Sequence, residues 1–435
     1  MLSSAIFTII IFLVCAAFLW LLDQRCNFPL SYPYLVLVFS TQVAAGFLLS
    51  WVYTHHYPDR KVADTFRYFD DSYFLHELLF IDWKSYLGIV LGIDAEIRDG
   101  IPFVDGMYGW FLEQRSPMYN DNRTIIRINT LFRLISGGIY EVHLVLFALM
   151  SFLGKLFIVR ALSGLIKGKN YLFSIIFFFI PSILFWSSGI MKEAPLFFFF
   201  GLLIHLLMKM YQGDVTRKNW IFMGGLLLIL FHLKFYVGLM LLPILTLHLI
   251  RSKWPTFHFW WATLLNYGSY FALAIAWHFI RWKWSLFTVL KWKKKDFEGL
   301  ALEVQANSYW KGMELEDNPI SFLMNLPFGL FNSLVRPFYW EAKSIFVRLS
   351  AIESSLIVLV LLMAALLTVK GRNSVVGKYA LLYALTFLMI VGMVTPIAGS
   401  LVRYKIPALP FLFFFFIERL DLPKFKALLK IKEKR

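Results

Sequence analysis

The sequence predicts an all-α, polytopic helical membrane protein of about 11 transmembrane helices, with two long outer loops carrying short helices. Three observations predict it. Hydrophobic residues make up 59% of the 435-residue chain and charged residues only 16%, outside the range of soluble domains. Several unbroken runs of Leu, Phe and Ile approach or exceed the roughly 18 to 20 residues that a spanning helix needs. The runs lack the ~10-residue alternation of an outer-membrane barrel.

Taken in order, the spans fall near 4–22, 34–54, 137–159, 171–188, 193–209, 217–233, 235–250, 259–280, 351–369, 377–395 and 402–417. The first does not read as a cleaved signal, because "MLSSAIFTII" has no basic residue and Arg25 follows the apolar run. Around "FHLKFYVG" the pattern fits one long tilted helix or two short ones meeting at Lys234 and Gly238. No internal repeat or Gly/Ser linker appears, so 1–417 reads as one transmembrane domain and 418–435 as a basic tail. Cys15 and Cys26 are too few for a disulfide framework, and no CxxC or His/Cys cluster suggests a structural metal.

Orientation follows from the short loops. Arg25, Lys167 and Lys169, Lys209 to Lys218, Arg251 and Lys253, Lys370 and Arg372, and the tail "KFKALLKIKEKR" all fall on one side. By the positive-inside rule that side is cytoplasmic, which leaves the N-terminus outside and the C-terminus inside. A single span at 217–250 would strand the tail outside, so two are favoured. The formal charge of +16 lies mostly in these loops, where membrane lipids with anionic headgroups are the natural partner; nucleic acid is not expected.

The outer side then receives the loops at 55–136 and 281–350, the Ser187–Glu193 turn, the Lys234 turn and "TPIAGSLVRYK". The 281–350 loop opens on "RWKWSLFTVLKWKKKDFEGL", whose Trp and Lys suit a helix lying in the interface plane. In "RYFDDSYFLHELLF", a helix capped by Asp70 or Ser72 would put Asp70, Tyr73 and Glu77 on one face, beside Asp71 and His76. Such carboxylates can take a proton from an acceptor hydroxyl or hold a divalent cation, Mg2+ or Mn2+, against a phosphate. An ordinary amphipathic helix in a solvated loop has the same pattern.

In "PSILFWSSGIMKEA", Pro181 bends or ends the regular helix, Ser187, Ser188 and Gly189 form the turn, and Glu193 suits the positive end of the next helix, but Lys192 does not. An ammonium there can grip a phosphate together with exposed N–H groups, or snorkel to headgroups. In "SLVRYKIPALP", Arg403 and Lys405 flank Tyr404 at the outer end of the last span, and Arg can fork onto two phosphate oxygens. Lys234 and Arg336 would face the same compartment. Trp83, Trp110, Trp186, Trp340 and Tyr404 suit either sugar stacking or an interfacial aromatic belt.

Three of these stretches, "DDSY", "PSILFWSSGIMKEA" and "LVRYKIPALP", together about a tenth of the chain, resemble bacterial multi-pass envelope-polysaccharide proteins. These are the C-type glycosyltransferase superfamily and the O-antigen or capsule polymerases. The resemblance implies a glycosyltransferase or polymerase of the bacterial inner membrane, acting at its outer face on a polyprenyl-phosphate-linked sugar. It implies that Asp70 or Asp71 supplies the carboxylate and that Arg403 and Lys405 hold the lipid phosphate, with Lys192 and Arg336 as further candidates. One departure is that two spans, not one, precede the acidic loop. A transporter or flippase is the rival reading. It would place charges near the middle of spans, whereas here they map mostly to span ends, His205 and Glu353 being the nearest exceptions.

Overall fold

The computed structural model describes residues 2–56, 59–93, 106–110, 120–303, 305–306, 308–369 and 374–428. Among them the regular structure is helical, apart from two isolated bridges, Tyr309–Ile397 and Thr368–Leu420. The chain divides into two compact units, Met1–Phe235 and Tyr236–Arg435.

The first unit contains α1 (Leu2–Cys26), α2 (Tyr32–His56), α3 (Asp64–Ile81), α4 (Trp83–Leu91), α5 (Asn122–Ser136), α6 (Tyr140–Leu162), α7 (Asn170–Phe179), α8 (Pro181–Trp186) and α9 (Glu193–Tyr211). It closes with the first part of α10 (Arg217–Lys253). At its centre α6 crosses α9 at backbone contact. A Cβ on Gly154 would collide with the Phe197 carbonyl, and one on Gly201 with the Gly154 carbonyl. Small residues at a crossing let van der Waals packing hold two apolar helices together. The helices α3, α4 and α5 form a layer on the first turns of α6. Thr65 bonds Tyr140 (2.7 Å) and Asn129 bonds His143 (3.0 Å), while Phe132 packs on Phe147. Asp82 caps α4 by accepting from Lys84 and Ser85 N–H, and Gly92 and Gly137 end α4 and α5 with positive φ.

The second unit holds the rest of α10, then α11 (Phe259–Ile280), α12 (Leu286–Glu303), α13 (Pro319–Val335), α14 (Ile345–Leu366), α15 (Val375–Val394), α16 (Ala398–Tyr404), α17 (Leu409–Arg419) and α18 (Leu422–Leu428). Asn318, Ser344 and Ser374 cap α13, α14 and α15. Gly329 of α13 and Gly392 of α15 repeat the close crossing of the first unit.

Among the described residues seven helices are long and apolar enough to cross a membrane: α1, α2, α6, α9, α10, α14 and α15. Counting α16 and α17 as one bent span makes eight, against the eleven expected. The differences have physical causes. The 171–188 stretch is broken at Pro181 into helices of 10 and 6 residues, because Pro clashes with a continuing helix. The 402–417 stretch bends by 57° between α16 and α17. The 259–280 stretch is one helix, but its Trp, Tyr, Asn and His residues dilute its hydropathy. The 217–250 stretch is two helical segments that meet at Lys234, as the sequence favours, where the backbone leaves helical geometry (φ −154°, ψ 88°), and α10 is counted once among the seven.

Two loop expectations also change. α3 begins at Asp64, two turns before Asp70, so Asp70 and Ser72 lie inside the helix and cap nothing. The 281–350 region contains α13, an apolar helix packed at backbone contact on α15, and not only surface elements.

Candidate functional site

The first unit gathers a charged cluster from three separate elements. Asp121 precedes α5, Lys192 and Glu193 open α9, and Lys234 stands where α10 loses its helical geometry. The Lys192 ammonium donates to Asp121 Oδ1. Lys234 Nζ lies 3.9 Å from the other Asp121 oxygen and 4.0 Å from Glu193 Oε1. The side chains of Glu193, Lys234 and Lys192 are 2%, 6% and 9% exposed, whereas Asp121 is 24% exposed. The carboxylate between the two lysines is therefore the member that solvent reaches. The two helix starts also explain the signs, since each favours a carboxylate and the lysines neutralise the pair.

The turn that presents Lys192 is not solvated. Every residue from Ser187 to Glu193 is buried. α2 lies directly over the turn, because a Cβ on Gly46 would meet the Ser188 carbonyl and one on Gly189 would meet Leu49. Gln42 of α2 donates to the Ser187 carbonyl at 3.0 Å. Beneath the turn Lys155 of α6 is fully buried and donates to Gln42 Oε1 and, at 3.2 Å, to Ser187 Oγ. Irregular backbone at membrane depth is tolerated where protein buries it and satisfies its polar groups. Lys155 adds a mid-span charge to the exceptions His205 and Glu353.

Asp71 acts on loop geometry. Its carboxylate accepts the N–H groups of Tyr108, Gly109 and Trp110 at 3.0, 2.7 and 3.0 Å. Burial pushes its pKa above the ordinary carboxyl value, and the three donors oppose that shift. The far side of the same loop is held by α5 and its approach. Asn120 and Asn122 donate to the Gly109 carbonyl, and Arg123 to that of Trp110. Asp71 thus fixes the segment against which the residues flanking Asp121 are placed.

Asp70 is half-exposed and paired with Arg60, which forks onto both oxygens at 2.6 and 2.9 Å. Asp70, Tyr73 and Glu77 do share the outer face of α3, above the buried Arg133. Burial lowers the Arg133 guanidinium to about 10, with Asp70, Tyr73 and Glu77 opposing. His76 packs edge-on to Phe80, and burial lowers its imidazole below the usual value. Among the described residues, Asp121 and Glu193 have carboxylates within 4.0 Å of Lys192 or Lys234, whereas Asp70 pairs with Arg60 and Asp71 with backbone N–H groups.

In the second unit, Lys405 is buried and donates to the Ser333 carbonyl (3.1 Å) and to Ser354 Oγ (3.0 Å). Ser354 in turn donates to the Arg336 carbonyl at 3.2 Å, so one hydroxyl joins the Lys405 ammonium to the Arg336 backbone. Arg336 pairs with Glu341 at 3.4 Å and lies 5.1 Å from the Trp310 ring centroid. Arg403 is half-buried. Tyr404 packs edge-on against Phe297 and Tyr236, an internal aromatic contact and not a presented stacking face. Trp110 is likewise fully buried, whereas Trp83 and Trp340 are exposed.

Asp121 escaped the sequence reading although it had a signal. An acidic residue directly before the periodic run "NRTIIRINTLFRLIS" marks a helix start. Among the described residues no group of three or more His, Cys, Asp or Glu side chains forms a metal site. The chain matches no protein-family model, no curated protein and no solved structure.

Proposed function

We propose that this protein is a membrane glycosyltransferase or polysaccharide polymerase that uses a polyprenyl-phosphate-linked sugar. It would work at the outer face of the bacterial inner membrane, in cell-envelope glycan synthesis, with its N-terminus outside and its C-terminus in the cytoplasm. The observation behind this reading is the partly exposed Asp121 carboxylate held between two buried ammonium groups. In this reading Asp121 takes the proton of the acceptor hydroxyl. The acceptor oxygen bonds to the sugar's anomeric carbon, and the bond from that carbon to the lipid phosphate breaks with its electron pair going to phosphate. Two lysines and two carboxylates sum to zero, so protonating Asp121 leaves the cluster with one positive charge as the phosphate gains one negative charge. That complementarity stabilises the transition state more than the ground state. Asp71 is a positioning residue, and membrane lipid is the donor's carrier.

The experiment uses the full chain in nanodiscs with a polyprenyl phosphate and a polyprenyl-phosphate-linked sugar. Asp121→Asn is expected to keep lipid binding and to slow transfer by about 10²- to 10⁴-fold, the usual contribution of a general base. Lys192→Met and Lys234→Met are expected to weaken lipid binding. Transfer unchanged in Asp121→Asn removes the role given to that carboxylate.

A second reading, transport of a lipid-linked or anionic substrate, is favoured by one feature. Lys234 sits at a helix break beside buried charges, as in discontinuous transporter helices. Movement of a labelled polyprenyl-linked glycan between vesicle leaflets, with no new glycosidic bond, would select it.

A further inference from the structure

The layer formed by α3, α4 and α5 leaves one set of large apolar side chains uncovered. Phe80, Ile81, Trp83, Leu87, Leu91 and Leu134 are between 43% and 74% exposed. Trp83, Leu87 and Leu91 stand four residues apart and make a single stripe along α4. Arg127 of α5 donates to the Ile89 carbonyl at 2.7 Å, which seats the end of α4 against α5, whose own stripe contains Leu134. An apolar surface of this extent in contact with water is unusual.

The depth of this layer points to what covers it. Phe132 of α5 packs on Phe147 of α6 with ring centroids 5.2 Å apart. Phe147 lies seven residues past Tyr140, about 10 Å along the helix. α6 with its short extension to Leu165 is a candidate span of 26 residues, about 39 Å at 1.5 Å per residue, longer than the ~30 Å hydrocarbon core. Centred on that core, the span leaves about one turn beyond it at each end, so the first turn of α6 is at headgroup level and α5, beside the turns that follow, is at the headgroup–acyl boundary. The chain also enters the layer from α2 and leaves it into α6, both candidate spans, so the layer is tethered to the bilayer at each end. The charge pattern agrees with that level. α5 contains no acidic residue, its arginines being turned to internal backbone carbonyls, and the exposed Lys84 stands beside the Trp83 ring. Tryptophan, aliphatic residues and basic side chains together are the composition of helices that lie in the interface.

We infer that the end of α3, the outer stripe of α4 and the outer face of α5 form a lipid anchor, immersed at the headgroup–acyl boundary of the leaflet beside the start of α6. The occupant of the surface is phospholipid, and the inference stands independently of the glycosyl-transfer reading. The test uses the full chain with Cys15→Ala and Cys26→Ala, in nanodiscs of phosphatidylethanolamine and phosphatidylglycerol. A nitroxide is attached at Leu87→Cys or, separately, at Leu91→Cys. Labels at Ile9→Cys on α1 and Asp214→Cys in the α9–α10 connection give the lipid and water references. Collision rates with oxygen and with a water-soluble nickel chelate are then measured. The expected result at both anchor sites is oxygen access like that at position 9, and nickel access several-fold below that at position 214. Nickel access equal to that at position 214 overturns the anchor. So does a label shielded from both reagents, which would mean that protein covers the stripe.

Discussion

At the scale of single residues, the two neighbouring aspartates of α3 separate cleanly. Asp71 accepts three backbone N–H groups in a buried setting, whereas Asp70 meets Arg60 at the surface. Removing a buried acceptor strands its donors, while an exposed ion pair contributes little. Asp71→Ala is expected to destabilise the protein by about 2 to 3 kcal/mol and Asp70→Asn by under about 1 kcal/mol, read by thermal unfolding in detergent. Equal effects would contradict the assignment. His76 gives a pH signature. Burial, with a smaller effect from Arg133, holds its folded pKa below the ordinary 6.5. The unfolded chain therefore binds a proton first as pH falls, and stability is lost on passing below about 6.5. His76→Gln should flatten the unfolding temperature between pH 7.5 and 5, relative to the unsubstituted chain. Lys192, Glu193 and Lys234 were legible because charges in an apolar run need an explanation. Asp121 and Lys155 were not, because a lone acid in a polar loop and a lone lysine in a long run look unremarkable until distant segments meet.

At the scale of elements, the sequence pattern located the long helices well and their interruptions less well. Hydropathy averaged over a window registers α6 or α15 clearly, but it passes smoothly over Pro181 and over the bend between α16 and α17. Proline announces a break, yet only packing decides whether the two pieces stay collinear. The helix crossings are also silent in one dimension. Gly154 and Gly201 lie on different helices, and nothing in the order of residues pairs them. Gly154→Val would drive a side chain into the α9 backbone, and the expected cost is about 3 kcal/mol or more. The measurement is loss of the folded monodisperse species in size exclusion. A variant as stable as the parent would mean that α6 and α9 can move apart at little cost.

At the scale of the whole molecule, topology follows from span parity, since one span more or less inverts everything after it. The Ser187–Glu193 turn, the Lys234 region and the end of the 55–136 loop were expected on one face, and in the first unit all three meet in the charged cluster. The 37-residue run of α10 would be about 55 Å long as a straight helix, far beyond a ~30 Å core. Two membrane-crossing segments are expected on either side of Lys234. Single cysteines at Asp214 and Phe257 should then react with an impermeant maleimide from the same side of the membrane. Labelling from opposite sides would make α10 one span and would turn the C-terminus outward. The Gly154–Gly201 crossing bears on the transport alternative as well. Where two backbones touch, no water file, ion or acyl chain can thread the seam. Any solute crossing the first unit must therefore travel around the α6–α9 pair, and a search for a conduit there can begin by setting that line aside.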